Sequence, residues 1–181
     1  LGLLVLALFI LTVKYRNENA PVKLAGFLLL LVTFQAALGM WTVTMMLMPI
    51  IVMAHLLGGF TTLCLLYLIY LRTSRFRIAS GDYSLRSKIP LAFVAIIVLT
   101  VQIALGGWTS SNYAALACTE LPICQSGWVD QVKLGNSFDL IPPERETYEF
   151  GFLTHPERMM VHVTNRFGAI VTAIIIGILA F

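Results

Sequence analysis

The sequence predicts an all-α integral membrane protein, a helical bundle built from a duplicated transmembrane hairpin within a four-helix unit. Three observations carry that expectation. The 181 residues are 59% hydrophobic and 12% charged, with a mean hydropathy of +0.87. A soluble domain is roughly 45–50% apolar and about 25% charged. The charges are also sorted: Lys14, Arg16, Lys23, Arg72, Arg75, Arg77, Arg86 and Lys88 fall in two short segments. Seven of the nine acids (Glu120, Asp130, Asp139, Glu144, Glu146, Glu149 and Glu157) fall in a single long one. Finally, QAALGMWT at 35–42 matches QIALGGWT at 102–109 in six of eight positions, and each copy closes an apolar run that leads to another. Such repeats outrank local signals when architecture is judged.

In chain order, Leu1 to Val13 reads as the tail of a membrane helix, since it is shorter than the roughly 20 residues that span a bilayer. The apolar run from Phe167 reaches Phe181 without a flanking charge, so the chain reads as a fragment cut within a helix at either end. Lys14 to Lys23 is a short basic loop broken by Pro21. From Leu24 to Leu71 there is no charge at all, which suits two crossings and demands a tight turn between them. Met40 to Pro49 is the expected turn, punctuated by Gly39 and Pro49 and provided with Trp41 at the interface. Arg72 to Lys88 forms the second basic loop. Ile89 to Gly107 is the next span, with Pro90 tolerated in its first turn. Ser110 to Pro156 is a long polar loop, and a last helix is expected from near Glu157. Residues 1–88 therefore read as the C-terminal part of one repeat. Residues 89–181 read as the N-terminal part of a second, with an outward loop over 108–157. The positive-inside rule puts both basic loops in the cytoplasm and the Trp41 turn and the cysteine loop outside.

Few polar groups lie within the apolar runs. His55, in MPIIVMAHLLGGF, stands about one and a half turns inside the membrane. An imidazole in hydrocarbon is a functional candidate by default. It either hydrogen-bonds a neighbouring helix or ligates haem iron, with Gly58 and Gly59 leaving room for a flat macrocycle. His162, Asn165 and Arg166 share one face of the last helix. Gln35 and Gln102 occupy matched repeat positions and read as links between helices. Trp41 and Trp108 read as interface anchors, and Cys64 as a small core residue. Cys118 and Cys124 lie in an outward, oxidising loop, where a disulfide is the first expectation, either pinning the loop or acting in redox chemistry. No basic cluster carries aromatic interleaving, which excludes a nucleic-acid partner. Without a broken helix or a buried acid in the spans, a transporter is a poor fit.

The segment GGWTSSNYAALACTELPIC at 106–124 resembles the haem A synthase family of cytochrome oxidase assembly, and the pattern of the chain resembles it over nearly its whole length. The resemblance implies a membrane oxidoreductase of the bacterial inner membrane that oxidises the C8 methyl of haem O to a formyl group, with haem b as cofactor. The alternative is a non-catalytic haem-binding or oxidase-assembly protein. It also implies that His55 ligates iron and that the cysteine pair sits above the haem site. In the family the helix corresponding to the last one here carries a His immediately before the Arg, and that His ligates haem b. Here Asn165 precedes Arg166, so either His162 substitutes as the iron ligand or the second site is altered. Arg166 suits a haem propionate. No catalytic residue is assigned, because the family's outward Glu and His would lie upstream of Leu1. The implied partners are haem O, the enzyme that makes it, an electron donor that the sequence does not name, and the lipid bilayer. There is room for a homo-oligomer.

Overall fold

The computed structural model describes residues 1–18, 20–74, 86–120, 124–125, 127–132 and 134–180. Arg75, Arg77 and Pro122 lie outside the described residues. Those described are helical or irregular, with no strand among them. The helices are α1 (Gly2–Lys14), α2 (Val22–Thr44), α3 (Pro49–Thr73), α4 (Ile89–Ser111), the short α5 (Trp128–Gln131) and α6 (His155–Ala180). Four of them, α2, α3, α4 and α6, are long and apolar enough to cross a membrane.

The local reasons for these limits are legible. Pro49 opens α3 and Pro90 lies in the first turn of α4, positions where a missing N–H costs nothing. The turn between α2 and α3 is tight, with Met46 (φ 49°) and Leu47 (φ 65°) both left-handed. It is held from outside, because the Tyr148 amide donates to the Met46 carbonyl (3.0 Å). The start of α6 is held by the Glu157 half of a capping box. The Glu157 carboxylate accepts from the Thr154 amide and hydroxyl, both at 2.8 Å, and its other oxygen accepts from the Asn136 amide at 3.1 Å. That capping sets the start of α6 at His155, two residues before the expected Glu157. α4 likewise continues past the expected exit at Gly107 to Ser111.

Helices pack in series, α1 on α2, α2 on α3, α3 on α4 and α4 on α6. Each contact has a glycine in it: Gly26 against Phe9, Gly58 against Gln35, Gly107 against Leu56, and Gly168 against Gln102. Between helices in lipid there is no hydrophobic drive, so close approach at small residues supplies the contact. Most large apolar side chains of the spans are exposed, such as Leu30, Leu63, Phe93 and Ile97. Exposure on this scale fits a hydrocarbon surround and not water. Cys64 is among the exposed residues, so it faces outward and is not the core residue expected from its size and apolar setting.

The better-buried core lies at one end of the bundle, where the ends of α4 and α6 meet the loop that joins them. There Trp108, Ala114, Phe152, Leu153 and Val161 form one cluster, and Ala117, Cys118, Met159 and Val163 another. This end carries the α2–α3 turn and the described parts of 112–154, and the basic residues Lys14, Lys23, Arg72, Arg86 and Lys88 lie at the other.

Candidate functional site

The two hairpins place their polar residues by the same rule. In the first, Gln35 of α2 lies directly over Gly58 of α3, so closely that a methyl group at Gly58 would overlap its amide. In the second, Gln102 of α4 lies in the same way over Gly168 of α6. Of the matched glutamines expected to link helices, Gln102 does so by hydrogen bond, whereas Gln35 only packs on Gly58, its Nε2 buried without a hydrogen-bond partner among the described residues. Three residues before Gly58 comes His55, and three before Gly168 comes Asn165. The two side chains are thus counterparts by position in the folded chain.

Their surroundings differ. The His55 imidazole lies over Gly39, its Cε1 3.4 Å from the point a Cβ would occupy, and the side chain is exposed. Among the described residues it makes no hydrogen bond. Asn165 is half-buried and tied down: its Oδ1 accepts from Gln102 Nε2 at 2.8 Å, and the same nitrogen reaches the Asn165 carbonyl at 3.1 Å.

His162 shares the face of Asn165 but is 7% exposed, covered by the loop. Its Nδ1 has no hydrogen-bond partner among the described residues, and its polar neighbours are the Arg166 guanidinium and the Ala114 backbone. Arg166 donates to the carbonyls of Glu120 (2.7 Å) and Cys118 (3.2 Å). Its fork therefore binds loop backbone, a role the sequence reading missed. A cation within three turns of the start of the helix that follows the loop was the available signal.

Cys118 and Cys124 are joined in a disulfide, Cα atoms 4.7 Å apart. Cys118 packs on Met159 and Val163, so the bridge seats the loop on α6. Trp108 is not an interface anchor. It is 3% exposed, its indole N–H donates to the Ser137 carbonyl at 2.8 Å, and its ring meets Phe152 edge-on. Trp41 is half-buried and meets Phe34 edge-on.

As a test of fit to a porphyrin, the first hairpin offers an accessible imidazole with an open side. The second, at the matching position, offers an amide already bonded. No cluster of three His, Cys, Asp or Glu side chains suited to a bare metal ion occurs among the described residues. A porphyrin brings four of its iron's ligands itself and needs only axial ones from the protein.

A family model described as cytochrome oxidase assembly protein matches residues 1–181. The chain is also similar to the heme A synthase of Shewanella oneidensis, 52% identical over 181 residues, which is 100% of this chain and 54% of that protein. It thus spans about half the length of that curated relative. No solved structure matches.

Proposed function

The chain belongs to the cytochrome oxidase assembly protein family, and from that premise we propose that it is part of a membrane oxidoreductase converting haem O to haem A. In this reading the C8 methyl of the substrate haem O would become a formyl group, a four-electron oxidation that takes up one oxygen atom and passes its electrons to an external acceptor; a bound haem, which His55 would hold, would supply the redox chemistry. The observation that carries it is His55: an exposed imidazole without a hydrogen bond among the described residues, inside a span whose one charge, Arg72, lies in its far last turn, beside a glycine that leaves its ring clear. An imidazole so placed in hydrocarbon is costly unless it meets a partner, and iron is the partner that suits it.

The residues divide the work. His55 holds iron from the α3 side, and Gly39 lets its ring stand close to α2. The disulfide loop, fixed to α6 by Arg166, closes the outer end of the helices. We assign the iron contact to His55 in preference to His162, which the loop covers, and Arg166 to loop anchoring in preference to a propionate. Residues 1–88 end one repeat and 89–181 begin the next. The protein crosses the bacterial inner membrane several times with the cysteine loop in the periplasm, following the charge of the loops.

A second reading, a haem-binding assembly protein without catalysis, draws on Asn165 standing where an iron ligand would. The full-length protein in membranes supplied with haem O separates the two. Haem A formed alongside a b-type reduced-minus-oxidised spectrum supports the oxidoreductase. The spectrum without conversion supports the binding protein, and the absence of bound haem overturns both.

A further inference from the structure

The two hairpins are built on one plan, yet only one of them presents an imidazole at the shared position. We propose that residue 165 is the counterpart of His55 and that Asn165 acts there as a clasp between helices, not as an iron ligand. This rests on the reading of His55 given above and extends it to the second hairpin.

Three observations support it. The Gln35–Gly58 and Gln102–Gly168 contacts fix the same register in both hairpins, with the residue in question three positions earlier each time. The glycine that faces the His55 ring, Gly39, has its repeat counterpart in Gly106. At Gly106 nothing among the described residues lies within 4 Å of a built Cβ. Among the described residues, the ground that a ring occupies in the first hairpin is open in the second. The Asn165 amide is meanwhile turned to α4, where its oxygen accepts the Gln102 N–H at 2.8 Å. An amide oxygen is a hard, weak ligand for haem iron, whereas hydrogen-bonded amides across helices are a usual membrane contact. Substituting a short amide for an imidazole therefore exchanges a ligand for a fastener without disturbing the glycine-mediated approach of the helices.

The test uses the full-length protein and reads haem per polypeptide, the visible spectrum and the melting temperature together. Asn165→Leu and Gln102→Leu should each lower the melting temperature by a few degrees, on the order of 1–4 °C for a bond of this kind. The double variant should lose less than the sum of the two. Haem content and spectrum should stay as in the parent. Asn165→His should raise haem per polypeptide and strengthen the b-type bands, because it places an imidazole over the open ground at Gly106. Loss of haem in Asn165→Leu would overturn the clasp, and unchanged haem in Asn165→His would overturn the equivalence with His55. A parent that binds no haem is a different failure, which strikes the reading of His55 while leaving the amide pair and its effect on melting intact.

Discussion

The α2–α3 and α4–α6 hairpins start from the same eight-residue pattern and the same glutamine-on-glycine contact, and then diverge. The first closes with the short Met45–Met48 turn and leaves His55 exposed. The second closes with the 112–154 segment, which folds back over the helix ends and buries Trp108, Ala114, Cys118 and His162. Trp41 and Trp108, identical in the repeat, accordingly end in different places, one half-buried at the turn and the other inside a small core. The comparison teaches that helix packing in this chain is set by the repeat, whereas the fate of each polar residue is set by what covers it.

The largest break in the comparison should come from His55. In the full-length protein, His55→Ala should remove haem from the first hairpin and with it most of the conversion of haem O, as read by the haemochrome spectrum and pigment extraction. Unchanged haem content would return His55 to the status of an ordinary intramembrane residue.

Next come the glycines. Gly58→Leu and Gly168→Leu should each cost about 1–3 kcal/mol by overpacking. If the hairpins share one plan, the two losses should be similar in denaturant titrations, and a cost confined to one of them would show that the likeness is superficial. The disulfide tests the covered hairpin alone. Closing so short a loop is worth about 2 kcal/mol in the chain-entropy account. Cys118→Ser with Cys124→Ser should therefore lower stability by about that much and speed proteolysis within 112–154, leaving the α2–α3 turn no more sensitive. The smallest effect expected is at the start of α6, where Thr154→Ala should cost about 1 kcal/mol through the lost cap. It should act on the loop as well as the helix, since the same Glu157 carboxylate holds Asn136.

The spans were legible from sequence because a bilayer fixes their length and leaves charge only at their ends. Pro49 marked the turn, and the paired cysteines of a polar loop marked the bridge. What escaped were contacts across long stretches of chain. Trp108 reads as an interface residue until the Ser137 carbonyl, far along the loop, receives its N–H. The contact of Arg166 with the Cys118 and Glu120 carbonyls likewise joins α6 to a loop more than 40 residues earlier in the chain. Cys64 looks like a core residue by size and apolarity, but a membrane span has no single inside, and its face of α3 points outward. The partnership of Gln102 with Asn165 needed the helices placed side by side, although the repeat had already singled out Gln102.

A structure of the full-length protein with haem bound tests the account most directly. The account predicts a porphyrin beside α2 and α3, its iron on the His55 imidazole, with the Asn165 amide still bonded to Gln102. A porphyrin ligated through Asn165 or His162, with His55 turned to lipid, would contradict it.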